Sequence, residues 1–214
     1  MEMKAVIFDM DGVLIDSEIV YIEWEKEFFR QYGIELSDEA YRKTLGHSDS
    51  DVEEALEKIW RAYGRKEDFK ALREAYYDAP KFHDMDYSMI LNDGVRETLA
   101  YLKKMGKKLA LASSSSMPEI EKVLGDCGLA EYFQAVVSGE QFDESKPNPG
   151  IYLYTAEELG VLPEACMAVE DSEAGIAAAK AAGMYVAAKR EERFRVDQSQ
   201  ADTVIETLRE LIGI

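Results

Sequence analysis

The sequence predicts a doubly wound α/β fold, in which a mostly parallel sheet carries a helical segment inserted after its first strand. Short, continuously apolar runs recur along the chain and alternate with helical patterns of about 10 to 15 residues. Continuous apolar runs are typical of parallel strands that are buried on both faces. A long stretch after the first run, residues 16–84, shows helical patterns but no convincing strand. These observations together predict the fold class.

The first apolar run, residues 4–9, reads Lys-Ala-Val-Ile-Phe-Asp and ends in an acid. Later runs predict further strands at 109–112, 135–138, 167–170 and 185–188, with a late edge strand at 203–205. Strands that alternate with helices form βαβ units, which build a Rossmann-like sheet. Such sheets place their chemistry at the carboxyl ends of the strands. We therefore expect the polar residues after these strands to form the functional site.

The inserted stretch predicts a separate helical cap. Its helical patterns cover residues 18–32, 38–45, 50–63 and 66–79. In the first of them Val20, Trp24 and Phe28 define one helix face. We predict two domains, an α/β core of residues 1–15 and 85–214 and a cap of residues 16–84, with a second hinge within 80–92. A cap at this position can cover the strand ends, exclude water and contact substrate.

The composition limits the partners. The chain has 214 residues, 47% of them apolar, which suffices for a substantial core. Its 43 acidic and 25 basic residues leave a net charge of −18, which argues against a nucleic-acid partner. A small phosphate ester stays possible, because one metal ion and one lysine can reverse the field inside a cleft.

The cysteines and the first residues indicate a cytoplasmic protein. Cys127 and Cys166 lack a C-x-x-C spacing, and we predict two reduced structural thiols. The apolar run 5–8 is too short for a signal peptide or a membrane span, so we expect no membrane partner.

Two acidic residues follow the first predicted strand. Asp9 and Asp11 lie two residues apart, and Gly12 would let the backbone turn sharply beside a substrate. Two acids at a buried strand end are unfavourable unless a cation shares them. Mg²⁺ is the natural candidate, because it prefers carboxylate and carbonyl oxygens.

Three more strand ends add complementary groups. Ser113 and its neighbour Ser114 offer a hydroxyl and backbone N–H groups for a phosphoryl oxygen. Lys146, in Ser-Lys-Pro-Asn-Pro, could neutralise both a nucleophilic carboxylate and a phosphoryl group. Glu170 and Asp171 form a second acidic pair. Each motif alone has an ordinary structural explanation, such as a turn, a surface lysine or a helix cap. Together they form a set suited to magnesium-assisted phosphoryl transfer.

In this order the motifs resemble those of the haloacid dehalogenase superfamily, specifically the subgroup of β-phosphoglucomutase-like enzymes and small-metabolite phosphatases. The resemblance covers the whole chain, including the helical insertion. It implies a magnesium-dependent phosphatase that hydrolyses a small phosphorylated metabolite, such as a sugar phosphate, through an aspartyl-phosphate.

The resemblance also implies residue roles. Asp9 would attack phosphorus, while Asp11 would protonate the leaving oxygen and later activate water. Ser113 and Lys146 would hold the phosphoryl group. Magnesium would be bound by the side chains of Asp9 and Asp171, the backbone carbonyl of Asp11, and Glu170. Residues expected to contact substrate are Gly12, Ser114, Asn148 and His47.

Two alternatives stay open. β-Phosphoglucomutases carry a histidine in the first cap helix and an arginine in a Gly-x-Ser-Arg cap loop that grips a second phosphate. Tyr21 and Asp49 stand at the corresponding positions here. An acid at the place of the arginine would repel a bisphosphate intermediate, which favours a phosphatase over a mutase. A non-catalytic metabolite-binding protein is the other alternative, and the complete set of motifs argues against it.

Overall fold

The computed structural model of the protein describes residues 3–42, 49–79, 85–194 and 196–213. Its strands are, in chain order, β1 Ala5–Phe8, β2 Lys108–Ser113, β3 Ala135–Ser138, β4 Cys166–Glu170, β5 Tyr185–Lys189 and β6 Thr203–Ile205. The α-helices of the described ranges are α1 Glu18–Gln31, α2 Asp38–Arg42, α3 Asp49–Ala62, α4 Phe69–Tyr77, α5 Val95–Lys104, α6 Met117–Cys127, α7 Gly150–Leu159 and α8 Glu173–Ala181.

The six strands form one sheet in the order β3-β2-β1-β4-β5-β6, and each neighbouring pair is parallel. The first strand lies at the centre, where Phe8 pairs with Leu111 of β2 and with Val169 of β4. The strand order reverses between β1 and β4, which is where sheets of this type open a crevice at their carboxyl edge. The predicted fold class is confirmed.

Both faces of the sheet are covered, as the continuous apolar runs predict. Val6 and Phe8 belong to one buried cluster, which also contains residues of α5 and α6. Ala5 and Ile7 belong to a second cluster on the other face, with residues of α7 and α8. The central strand is therefore buried on both sides, which holds its carboxyl end in a fixed position.

The two cysteines lie in different clusters. Cys127 ends α6 on one face of the sheet, Cys166 begins β4 on the other, and both are buried and unbridged. Burial raises the pKa of each thiol to about 11. Thiols of this kind are poor nucleophiles, which confirms the prediction of two structural cysteines.

The helices α1, α3 and α4 share an aromatic cluster of their own. The ring of Phe28 lies 5.9 Å from that of Trp60 and 5.8 Å from that of Phe69, measured between centroids. The core contributes Phe194, which follows β5 and lies 6.4 Å from the ring of Tyr41. A separate apolar cluster is what a helical cap requires. The domain boundaries themselves stay a prediction.

The structure corrects the start of one cap helix. The predicted helix 66–79 begins only at Phe69, because Asp68 has an extended backbone and acts as its N-cap. The Asp68 carboxylate accepts the N–H of Ala71 at 3.1 Å, which satisfies one of the unpaired donors of the first turn.

Two parts of the predicted cap lie outside the described residues. They are 43–48, which contain the end of the predicted helix 38–45, and 80–84 of the predicted hinge. Among the described helices, none combines the length and the apolar character that a membrane crossing needs.

We predict that Phe28→Ala lowers the free energy of unfolding by about 3–5 kcal/mol, because it leaves a cavity in the aromatic cluster. Urea denaturation followed by tryptophan fluorescence measures this, since the buried Trp60 reports on the cluster. The control is Tyr63→Ala, whose side chain is 56% exposed and should change stability by less than about 0.5 kcal/mol. Equal effects of the two substitutions would contradict a packed cap core.

Candidate active site

The carboxyl ends of β1, β2 and β4 bring the predicted motifs together. Asp9 follows β1, Ser113 closes β2, and Glu170 closes β4. These three residues meet at one edge, because β1 lies in register between the other two strands. Lys146 reaches the same edge from the loop before α7. Asp9 and Lys146 are thus in direct contact, although they lie 137 positions apart in the sequence.

A buried lysine links the first and fourth motifs. The ammonium of Lys146 donates to Oδ1 of Asp9 at 2.6 Å and to Oε1 of Glu170 at 2.6 Å. Its third bond goes to the carbonyl of Ala112 at 3.3 Å, so all three of its N–H donors have acceptors. The hydroxyl of Tyr152 donates to the same oxygen of Glu170 at 2.5 Å. Buried ion pairs need such additional bonds to offset the loss of hydration.

The charges of this group shift the pKa values of its members. Burial raises the pKa of Asp9 to about 8, although the ammonium of Lys146 opposes the shift. Burial by itself would lower the pKa of Lys146, but the carboxylates of Asp9 and Glu170 outweigh it, so the pKa is raised. The lysine therefore stays charged at neutral pH, and its charge favours the ionised form of Asp9 that a nucleophile requires.

Asp171 completes a group of three buried carboxylates. One oxygen each of Asp9, Glu170 and Asp171 lie within 4.8 Å of one another. Lys146 forms ion pairs with Asp9 and Glu170, and three carboxylates this close together repel one another in a buried site. A divalent cation would offset this repulsion, and carboxylate oxygens are suitable ligands. The donor set therefore fits a divalent metal ion held by Asp9, Glu170 and Asp171.

Gly12 makes room for one of these carboxylates. Its φ is +72°, and a Cβ at this position would lie 2.0 Å from Oδ2 of Asp171. A side chain would thus be both strained and in collision with Asp171. The structure thus places Gly12 directly against a candidate metal ligand, and its contact with substrate stays a prediction.

Asp11 has a different environment from Asp9. The hydroxyl of Ser17 donates to its Oδ1 at 2.6 Å, and that of Ser115 donates to its Oδ2 at 2.8 Å. Burial raises the pKa of Asp11, and the two hydroxyl bonds oppose the shift. Its side chain does not belong to the group of three carboxylates. A metal contact through the backbone carbonyl of Asp11 stays a prediction.

The loop after β2 supplies hydroxyls and backbone donors. Ser113 is fully buried, and its Oγ accepts the N–H of Ser115 at 3.1 Å. The hydroxyl of Ser138, at the end of β3, donates to the carbonyl of Ser115 at 2.7 Å and ties the loop to the sheet. Ser114 is half-buried and lines the cleft described below. The part of the loop that contains Ser114 is therefore accessible to a ligand.

The other predicted substrate contacts have different positions. Oδ1 of Asn148 accepts the N–H of Gly150 at 2.8 Å, and its amide donates to Glu144. These local bonds hold the start of α7, so a contact with substrate stays a prediction for Asn148. His47 lies outside the described residues, as does the side chain of Asp49 at the start of α3.

A cleft of about 990 Å³ separates α3 and α4 from the carboxyl edge of the sheet. Ser114 and Lys146 line its core side, and Lys70 and Arg73 line its helical side. We call it the main cleft. It is large enough for a small metabolite whose reactive group lies near Lys146.

Sequence reasoning missed three residues of this site. Ser17, Ser115 and Tyr152 bind the carboxylates of Asp11 and Glu170, but the sequence shows each of them only as an ordinary helix or turn residue. Ser17 occupies the N-cap position of α1 but does not cap the helix, because its hydroxyl donates to Asp11 instead. A serine five residues after the glycine of the Asp-x-Asp-Gly motif, at the predicted start of a helix, is the one local signal for its role.

Comparison with known proteins agrees with this fold and site. The family model described as "Haloacid dehalogenase-like hydrolase" matches residues 6–189. The chain belongs to this family of hydrolases. The membership confirms the predicted enzyme class, a phosphoric monoester hydrolase.

Two curated relatives are similar to this chain, each at the same identity and over most of its length. The protein is 36% identical over 184 residues to a phosphorylated carbohydrates phosphatase of Thermotoga maritima, a match that covers 85% of this chain and 82% of the relative. It is also 36% identical over 186 residues to hexitol phosphatase B of Escherichia coli, covering 86% and 82%.

A solved structure resembles the whole molecule. It is that of a putative β-phosphoglucomutase from Thermotoga maritima, with a TM-score of 0.74 and 31% identity. The match covers 98% of this chain and 97% of the other. Phosphatases and mutases thus both occur among the similar proteins.

We predict that Gly12→Ala destabilises the protein by about 3 kcal/mol or more, because it combines backbone strain with a collision against Asp171. The matched control is Gly106→Ala, at φ +76° with no atom within 4 Å of the added Cβ, where strain alone should cost about 1–2 kcal/mol. Urea denaturation of both variants measures the difference. Equal losses would mean that the close approach of Gly12 to Asp171 has no energetic consequence.

Proposed function

We propose that the protein is a cytoplasmic, magnesium-dependent phosphatase that hydrolyses a sugar monophosphate or a similar small phosphate ester through an aspartyl-phosphate. The observation that carries the proposal is the position of Asp9, which contacts Lys146 and lies beside Glu170 and Asp171. The phosphatase names of the two curated relatives support the same activity.

The first half of the reaction uses both carboxylates of the first motif. A carboxylate oxygen of Asp9 attacks phosphorus, the bond to the ester oxygen breaks, and an aspartyl-phosphate forms. Asp11 transfers its proton to the leaving oxygen, which departs as an alcohol. Burial raises the pKa of Asp11, which favours the protonated form that this step needs.

The second half restores the enzyme. Asp11, now ionised, takes a proton from a water molecule, and the oxygen of that water attacks phosphorus. The bond between phosphorus and Asp9 breaks, which releases inorganic phosphate and returns Asp9 to its carboxylate form. One acid therefore serves both proton transfers, and its hydroxyl partners Ser17 and Ser115 keep it oriented.

The remaining groups hold the phosphoryl group and balance charge. Lys146 and the loop of Ser113 and Ser114 lie at the sheet edge where the phosphoryl oxygens would be bound. When bound, magnesium supplies positive charge against those oxygens and the attacking carboxylate. Asp9, Glu170 and Asp171 are the side chains that would hold it.

The charges of the main cleft favour a phosphatase over a mutase, since a mutase has to hold a second phosphate. Acidic residues outnumber basic ones in its lining. The acids are Asp51, Glu53, Glu54, Glu140, Asp143 and Glu144, and the bases are Lys58, Lys70, Arg73 and Lys146. Each of these bases forms an ion pair with a carboxylate. A bisphosphate would meet net repulsion there.

The proposal predicts that Asp9→Asn lowers magnesium-dependent phosphate release by at least about 1,000-fold, because the nucleophile is lost. Asp11→Asn should lower it by about 100- to 10,000-fold, the range of general acid–base catalysis. The assay measures inorganic phosphate released from a panel of sugar phosphates and other small phosphate esters, with and without a chelator.

The control for both substitutions is Glu164→Gln, at an exposed position just before β4 and so at the opposite end of that strand from the site, which should keep the parent rate. Interconversion of hexose phosphate isomers without phosphate release would refute the phosphatase in favour of a mutase. Magnesium binding without turnover of any ester would refute it in favour of a metabolite-binding protein.

We further predict that Tyr152→Phe raises the magnesium concentration for half-maximal activity by about 10-fold or more, as expected when a bond to a metal ligand is lost. The substitution removes the hydroxyl that donates to Glu170 and keeps the ring. The control is Tyr154→Phe on the same helix, where the side chain is 39% exposed. If both variants show the parent's magnesium dependence, Tyr152 has no role in organising Glu170.

A further inference from the structure

A carboxylate at the junction of cap and core binds two tyrosine hydroxyls. Oε1 of Glu119, in the first turn of α6, accepts the hydroxyl of Tyr21 at 2.6 Å and that of Tyr87 at 3.3 Å. The two hydroxyl oxygens are 3.4 Å apart. Tyr21 belongs to α1, whereas Tyr87 begins the short 3-10 turn Tyr87–Ile90 that leads back to the core. We call these three residues the tyrosine–glutamate cluster.

The cluster lies near the proton donor of the proposed reaction. Burial is the largest cause of the raised pKa of both Tyr21 and Tyr87, and the charges of Asp11 and Glu119 add to it. Both phenols therefore stay protonated and donate to the carboxylate at neutral pH. The loop from Ser115, which holds Asp11, leads within four residues to Glu119. One short loop thus connects the partner of Asp11 to this cluster, and the charge of Asp11 acts on both phenols.

Glu119 and Tyr87 also line a second cleft, of about 640 Å³. Lys70 and Arg73 line both this cleft and the main cleft, so the two clefts are adjacent. The ring of Tyr77 lines the second cleft as well, and the guanidinium of Arg73 lies over it at 4.8 Å from the ring centroid. The second cleft therefore lies beside the main cleft, and Lys146 lines only the main cleft.

The second cleft suits an uncharged, hydroxylated group. Its acids Glu53, Glu74 and Glu119 balance its bases Lys70, Arg73 and Lys122. These bases form ion pairs with Glu53, Glu25 and Asp126, respectively. A second phosphate would therefore find no net positive charge. A polyol, by contrast, can donate hydroxyl hydrogen bonds to a carboxylate and lay its C–H groups against tyrosine rings.

We propose that Glu119 is a specificity-determining residue that accepts hydrogen bonds from the hydroxyls of a polyol or sugar leaving group in the second cleft. The inference rests on the proposed function, because it assigns the part of the substrate that departs from phosphorus. Tyr21 and Tyr87 position the carboxylate, and the substrate hydroxyls bind beside them.

The test compares two esters in the parent enzyme and in Glu119→Gln. One is glucitol 6-phosphate, a polyol phosphate, and the other is para-nitrophenyl phosphate, whose leaving group has no such hydroxyls. The ratio of kcat/KM for the polyol phosphate to that for the aryl phosphate should fall by about 10-fold or more, as expected when a charge-assisted hydrogen bond is replaced by a neutral one.

The matched control is Glu121→Gln, an exposed residue two positions further along α6 that lines neither cleft and should keep the parent ratio. Glu119→Asp, which retains the carboxylate, should restore part of the ratio. An equal fall for both esters would overturn the proposal, because it would show that Glu119 only joins cap and core. An unchanged ratio would also overturn it.

A binding measurement separates this inference from the proposed function. Glucitol is titrated calorimetrically into the magnesium-loaded protein with inorganic phosphate present. Weaker binding of glucitol to Glu119→Gln than to Glu121→Gln supports a polyol-binding subsite at Glu119, whether or not the ester is turned over. Equal binding to both variants, or no binding to the parent protein, overturns the subsite even if phosphatase activity is found.

Discussion

The ammonium of Lys146, buried between Asp9 and Glu170, is the interaction on which the rest of the site depends. Two carboxylates at the ends of neighbouring buried strands would repel each other, and an ammonium with three acceptors stabilises both. Tyr152 supports the arrangement from α7 through its bond to Glu170. Asp171 then adds a third carboxylate beside them, and the three together form a donor set that suits a divalent cation.

The second carboxylate of the first motif is kept apart from this group. Hydroxyls of Ser17 and Ser115 hold Asp11, whereas an ammonium holds Asp9. Residues two positions apart therefore have different environments, which is how two similar acids acquire different chemical roles. Ser17 precedes α1, so the orientation of the proposed proton donor also depends on where that helix begins. The tyrosine–glutamate cluster links α1 to α6.

Much of the fold follows from local sequence patterns. Continuous apolar runs identify the strands of the sheet, because a strand that is buried on both faces carries apolar side chains on both. The parallel arrangement places their carboxyl ends together, so Asp9, Ser113 and Glu170 could be assigned to one edge from the sequence. Lys146 could be assigned to the site only from its motif and from the resemblance of the whole sequence to a known family, since a lysine in a loop is usually exposed.

The sequence by itself determined the fold class, the helical insertion and the order of the charged motifs, because these depend on periodicity and on residues that follow strands. Tertiary structure alone decided which groups hold those motifs. Ser115 lies 104 positions from Asp11, and Tyr21 lies 98 positions from Glu119. Such partners leave no local pattern, since a hydroxyl that binds a buried carboxylate looks in sequence like one that faces water. Pairing of β1 with β2 brings Ser115 to Asp11, and packing of α1 against α6 brings Tyr21 to Glu119.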